Sequence, residues 1–158
     1  MPLRRRGLYY VLPSFAVSVY LAWPHMLMAA SSGQETPQAI TARICSGCHA
    51  LQVALDPPRD YDAWHETVQK MIDRGARGTS DEFAQVMQYL FETVTTVDVN
   101  HGDEEELMTV LHATAEAAGA IIERRRKRPF KDLADLEAAV PALDRQLLDA
   151  KKKMILFL

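Results

Sequence analysis

Two cysteines and a histidine lie close together in the chain, Cys45, Cys48 and His49. Two thiols three positions apart can each bond one vinyl group on the same edge of a porphyrin, and a histidine directly after the second thiol brings its imidazole to the iron. Cys45 and Cys48 are the only cysteines of the chain, so no thiol is left for a structural disulfide. The pattern predicts one covalently bound haem c with His49 as the proximal iron ligand.

Two other kinds of site use a pair of cysteines at this spacing, a thioredoxin-like redox motif and half of a zinc site. A zinc site needs two further ligands, and the remaining histidines show no such pairing. These histidines are His25, His65, His101 and His112. A thioredoxin-like motif belongs to a βαβ pattern, whereas the flanks of this motif are predicted to be helical. We therefore favour haem attachment.

Residues 1–32 have the features of a secretory signal peptide. Three arginines at positions 4–6 precede an apolar run over 8–22, and small residues follow at 29–32. An uncleaved anchor is the alternative, but the run is short for a membrane span, so membrane contact would require the signal to remain. Cleavage would lower the formal charge from −3 to about −6. We expect a periplasmic or secreted protein, which agrees with covalent haem attachment outside the bacterial cytoplasm.

The elements that must position the motif are predicted to be helices, and the fold class to be all-α. A helix over 34–44 leads into the cysteines, a second spans 62–72, and a third follows the capping box formed by Thr79 and Glu82. Residues 33–96 would therefore form a domain of three helices around the haem. At 158 residues the chain has room for a second small domain, which we place at 97–158.

A loop is predicted between His49 and residue 61, because Pro57 and Pro58 cannot continue a helix. One of the two proline carbonyls can accept a hydrogen bond from the ring N–H of His49 and fix its orientation, as outer-shell groups do for metal ligands. A plain turn is the alternative, and the sequence leaves both open.

The sixth iron ligand decides between electron transfer and catalysis, because a thioether fills the site and raises the potential of the iron. Met71 and Met87 are the candidates in the haem half. Met87 lies on the apolar stripe of a helix and is better explained as core. Met71 lies at a helix end beside the glycine-rich break at 74–78, so we favour it as the distal ligand.

Residues 45–94 resemble small class I c-type cytochromes. After the cysteine motif the chain carries Trp64, Val68, Met71, Gly75 and the pair Tyr89-Leu90. The resemblance implies covalent haem on Cys45 and Cys48, with iron ligated by His49 and Met71. The N-terminal helix departs from the larger members, since Ile40 and Ile44 replace their usual glycine and aromatic pair.

Residues 97–158 contain four further helical patterns, at 103–111, 115–126, 132–139 and 144–154. This half resembles the tandem helix-hairpin-helix domains of competence-type DNA receptors. The resemblance is carried by Val99-Asn100, Glu106-Leu107, Ala120-Ile121-Ile122, Arg125, Pro129-Phe130, Leu133 and Asp135-Leu136.

The hairpins of this half lack the glycines with which that family approaches DNA phosphates, since 112–114 and 141–143 contain none. The basic run at 124–128 attracts phosphate, but it also suits a solvated helix C-terminus. Because the exported chain is acidic, we expect no nucleic-acid partner and favour a docking module for a protein.

The sequence thus predicts an exported monohaem c-type cytochrome with a degenerate helix-hairpin-helix domain. It would act as a single-electron carrier between a dehydrogenase donor and an oxidase or cytochrome acceptor, and not as an enzyme by itself, although it can be a subunit of an oxidoreductase complex. The alternatives are a haem enzyme or a gas or redox sensor with an open sixth position, and extracellular DNA binding by the second half.

Overall fold

A computed structural model describes residues 35–158, which belong to the unit Gln34–Leu158. Within residues 35–158, 61% of the residues are helical, which confirms the all-α prediction at the level of secondary structure. The described helices are α1 Pro37–Cys45, α2 Leu51–Leu55, α3 Tyr61–Asp73, α4 Ser80–Thr93, α5 Glu104–Leu111, α6 Ala115–Lys127, α7 Leu133–Ala139 and α8 Arg145–Lys151. The described strands are β1 Val97–Asp98 and β2 Ile155–Leu156. The predicted signal peptide lies outside the described residues.

Helices α1, α3 and α4 surround the first of two apolar clusters. Ile40 of α1, Trp64 and Val68 of α3, and Val86 and Leu90 of α4 are all buried in it. Helix α1 therefore packs on α4 through Ile40. The capping box of α4 forms as predicted, with Thr79 and Glu82 bonded to each other's backbone amides.

The segment after His49 is not the continuous loop that the prolines predict. It begins with the short helix α2, because residues 51–55 are good helix formers and Ala54 is buried. The prolines act only from position 57 onwards, where the Asp56-Pro57 peptide bond is cis. Arg59 fixes this segment by donating to the carbonyls of Ala54 and Pro57 while its guanidinium lies over the Trp64 ring.

The helices α5 to α8 surround the second apolar cluster, whose buried members all lie between Val97 and Ile155. The last predicted helix ends at Lys151 and not at residue 154, because the chain turns there to pair β2 with β1 in a parallel ladder. Asn100 secures this arrangement. Its side chain donates to the carbonyls of Phe130 and Leu158 and accepts from the amide of Phe130.

Two side chains connect the clusters. Tyr61 packs against both of them, and its hydroxyl donates to Glu105 at 2.9 Å. The Lys151 ammonium is buried and donates to the carbonyls of Phe91 at 2.9 Å and Val110 at 2.7 Å. Positive charge near the ends of two helices is favourable, because their last carbonyls lack partners in the helix.

Among residues 35–158, the structure contains no helix with the length and apolar character needed to cross a membrane.

Candidate haem site

The four predicted ligand and attachment residues line one cavity. The cavity has a volume of about 110 Å³ and is lined by Ile44, Cys45, Cys48, His49, Met71, Arg74 and Ala76. Cys45 is the last residue of α1, and Cys48 and His49 lie in the turn that follows it. Met71 belongs to α3. The fold thus brings the cysteine motif and the favoured methionine to the same place.

Helix α1 determines where Cys45 points. Thr36 caps the helix by accepting from the amide of Ala39, and Pro37 occupies its first position. At the other end the amides of Ser46 and Gly47 bond back to the last turn of the helix, so the motif reverses direction immediately after Cys45. Burial raises the pKa of the Cys45 thiol, and neither Cys45 nor Cys48 is in a disulfide.

The imidazole of His49 is oriented by a backbone carbonyl. Its Nδ1 lies 3.2 Å from the carbonyl oxygen of Ala50. Because a carbonyl only accepts, this contact puts the ring proton on Nδ1 and leaves the lone pair of Nε2 for a metal. The partner is not the carbonyl of Pro57, which accepts from Arg59. The predicted kind of contact is present, with a different partner.

Met71 reaches the cavity because α3 ends in a tight turn two residues later. The amide of Ala76 bonds to the carbonyl of Met71, and that of Gly75 bonds to Ile72. Gly75 has a φ of 95°, a conformation that residues with a Cβ adopt only with strain. This glycine therefore reverses the chain and places residues 74–76 beside Met71 at the cavity.

Met87 lies elsewhere. It belongs to α4 and is partly buried against the first apolar cluster. Met87 and His65 both line a cavity that does not include the cysteine motif. His65 is exposed, as its position off the stripe of α3 predicts. Of the two candidate methionines, Met71 alone lines the cavity that contains the cysteine motif.

A second cavity of about 280 Å³ adjoins the first, and both are lined by Ile44, Cys48 and Ala76. It brings Arg43 and Arg77 near the cysteine motif, which sequence reasoning missed. Arg43 is occupied by ion pairs to Glu35 and Glu82 at 2.7 and 2.6 Å.

Arg74 and Arg77 are exposed and make no ion pair within the described part of the chain. In the sequence, only their position in the glycine-rich break beside Met71 indicates that these two arginines lie near the site.

The residues at this site are of the types that covalent attachment of haem would use. Two thiols, an imidazole with a free Nε2 and a thioether line one space, with two available guanidinium groups at its edge. The two thiols would form the thioether bonds to a porphyrin, and its carboxylates would pair with the guanidinium groups. Within residues 35–158, no group of three or more histidine, cysteine or acidic side chains is arranged to hold a metal ion, the cysteine motif included.

The basic run of α6 is engaged largely within the protein. Arg124 pairs with Asp135 at 3.1 Å, and Arg128 reaches the same carboxylate at 3.2 Å. Arg125 is partly buried and donates to the carbonyls of Val99 and Gly102. Three of the five basic side chains of the run are therefore bonded within the second half, whereas Arg126 and Lys127 are exposed at the end of the helix.

Comparison of the chain with protein-family models, with curated proteins and with solved structures finds no match.

Proposed function

We propose that the protein is an exported monohaem c-type cytochrome that carries single electrons between redox partners. The observation that supports this most strongly is the cavity in which Cys45, Cys48, His49 and Met71 meet. A lone cysteine motif fits several kinds of site. A thioether and an imidazole whose Nδ1 faces a backbone carbonyl line the same space, which favours a six-coordinate iron that exchanges electrons and binds no substrate.

Each residue has a distinct role in this proposal. Cys45 and Cys48 hold the porphyrin covalently, and their different burial means that one bond forms inside the protein and the other at its surface. His49 presents Nε2 because the Ala50 carbonyl retains the proton on Nδ1. Met71 would be the second iron ligand supplied by this chain and would exclude other ligands. When bound, the haem would supply a reversible one-electron change at iron.

Arg74 and Arg77 would pair with the porphyrin carboxylates. Both are exposed and line the two adjoining cavities. Guanidinium groups bind carboxylates through two parallel hydrogen bonds and hold the charge of the carboxylate at neutral pH. Arg74 and Arg77 would thus hold the charged groups of the porphyrin, while Cys45 and Cys48 would hold it covalently.

The second half would serve as a docking module with a degenerate helix-hairpin-helix fold. Its arginines are bonded within the protein, which favours a protein partner over DNA. The redox partners would be a dehydrogenase donor and an oxidase or cytochrome acceptor. Contacts between such carriers and their partners are usually small and short-lived.

The attachment of haem is tested by expressing the full chain with a cytochrome c maturation system. The exported protein is then denatured and separated, and haem that remains with the polypeptide is detected by peroxidase staining and by mass. We expect covalent haem on the wild type and none on the Cys45→Ala, Cys48→Ala double variant, because no other thiol is present.

The matched control is Ser46→Ala, which changes an exposed position inside the same motif without removing a thiol. It should retain covalent haem. A wild-type polypeptide without covalent haem, or a double variant that keeps it, would contradict the proposal.

A further inference from the structure

A groove runs between α4 and α5, away from the haem cavity. Its deeper part has a volume of about 460 Å³ and is lined by His65, Met87, Phe91, Thr109 and His112, among others. Its shallower part, of about 310 Å³, lies along α5 and shares Thr109. We call the two parts together the α4–α5 groove. Both the first and the second half contribute to its walls.

The floor of the groove is apolar and adaptable. Met87 and Phe91 lie in the deeper part, and Met108 lies in the shallower part. Met108 is 38% exposed and, with Val53 and Leu158, is one of three large apolar side chains exposed in the described chain. Methionine suits such a surface because its flexible, polarizable side chain adjusts to different apolar partners.

The charged groups that border the floor are acidic. Glu92 borders the deeper part, and Glu104 and Glu105 border the shallower part. Among the residues that the structure describes, no lysine or arginine lines either part, and the nearby ammonium of Lys151 is buried against two carbonyls. His65 and His112 also line the groove, but the carboxylates outnumber them. The surface therefore pairs apolar contact with a negative rim.

The walls are held in place before anything binds. The Phe91 ring stacks on Tyr61 with ring centres 4.6 Å apart, and the Tyr61 hydroxyl fixes Glu105. Gln88 holds Glu92 by a hydrogen bond of 3.0 Å. Because these side chains are already ordered, a ligand loses less conformational entropy to them on binding.

We propose that the α4–α5 groove binds an amphipathic helix of a partner protein, with apolar residues on one face and lysine or arginine beside them. Helices of this kind bind in apolar grooves through side chains at helical spacing, and opposite charges at the rim set orientation and association rate. This groove would be the surface that carries the docking role in the proposed function, and its partner would be a basic amphipathic helix. This binding does not require haem, so failure of one proposal leaves the other testable.

The test uses the full chain and a fluorescein-labelled helical peptide of leucine and lysine, about five turns long. Binding is measured by fluorescence anisotropy at low and high salt. A scrambled peptide of the same composition has the same charge without an apolar face. We expect the amphipathic peptide to bind, with affinity that falls as salt rises, and the scrambled peptide to bind at least about tenfold more weakly.

Two variants locate the binding. Met108→Lys puts a positive charge on the groove floor and should weaken binding by about tenfold, whereas Val53→Lys makes the same charge change on exposed α2 and should alter it by less than about twofold. Glu92→Gln removes one rim carboxylate without repulsion and should weaken binding by about threefold. It serves as the second test if Met108→Lys folds poorly.

Three results would overturn the proposal. One is equal binding of the amphipathic and scrambled peptides, and another is equal weakening by the two lysine variants. The third is self-association of the wild-type chain that Met108→Lys abolishes in sedimentation measurements, since the groove would then receive a second copy of this chain.

Discussion

The two halves of the described chain use their side chains differently. The second apolar cluster contains fifteen buried residues, whereas the first contains six, and two cavities lie open beside α1 and α3. Apolar burial therefore contributes more to the stability of the second half than to that of the first. Haem in those cavities would stabilise the first half, as any ligand that binds only the folded state does.

The two arginines beside the cavities differ in their contacts from three basic side chains of the second half. In the second half Arg124, Arg125 and Lys151 are bonded to carboxylates or carbonyls of the protein. In the first half Arg74 and Arg77 remain exposed beside the cavities. Exposed guanidinium groups beside a cavity are available for a ligand, and we propose that Arg74 and Arg77 bind the carboxylates of haem.

The largest effect on stability is expected where the halves are joined. Replacing Lys151→Met preserves most of the apolar stem but removes the donor to Phe91 and Val110. Leaving two largely buried carbonyls without partners should lower the free energy of unfolding by about 2–4 kcal/mol. Denaturant unfolding followed by far-ultraviolet circular dichroism measures this change.

Lys152→Met is the matched control, because its ammonium is exposed and pairs only with Asp149 at the surface. It should change stability by less than about 0.5 kcal/mol. Equal effects of the two variants would show that Lys151 does not connect the halves.

A smaller effect is expected at Glu106, an acidic group of the second half with no cationic partner. Burial and the carboxylates of Asp103, Asp60, Asp62 and Asp98 raise the pKa of Glu106 to about 7. The folded state therefore binds the proton of the Glu106 carboxyl group more tightly than the unfolded chain does. As the pH rises from about 4.5 to 7, this proton is lost and the free energy of unfolding falls. Glu106→Gln should remove this loss. Since the side chain is half-exposed, the gain at pH 8 should be about 1 kcal/mol.

Unfolding curves at about pH 5 and 8 test this prediction. The variant should exceed the wild type at the higher pH and approach it at the lower one. Glu104→Gln makes the same change at an exposed position of the same helix turn and is the matched control. A gain of equal size at both pH values would mean that titration of Glu106 is not its cause.

The sequence predicted the helices best where local signals determine them. Thr79 and Glu82 mark the start of α4, and Gly75 marks the end of α3, because caps and turns depend on neighbouring residues. The same glycine-rich break led to Met71 as the residue that reaches the cysteine motif. The structure places it in that cavity, and its ligation of iron stays a prediction.

Features that depend on distant partners were missed. Strands β1 and β2 have two residues each and pair from opposite ends of the second half, so neither has a pattern of its own. Lys151 and Arg125 look like surface charges in the sequence, and only their carbonyl partners explain their burial. The sequence left open whether a proline carbonyl orients His49, and the Ala50 carbonyl that does so depends on the turn before α2.

The ferric absorption spectrum of the haem-loaded full chain tests the central claim most directly. We compare the wild type with Met71→Ala, and with Met87→Ala as a matched control from the same half. We expect the wild type and the Met87→Ala variant to be low-spin and six-coordinate, with spectra that change little when cyanide is added. The Met71→Ala variant should become high-spin and bind cyanide. A high-spin wild type that binds cyanide would contradict this expectation, because an open iron is suited to catalysis or sensing.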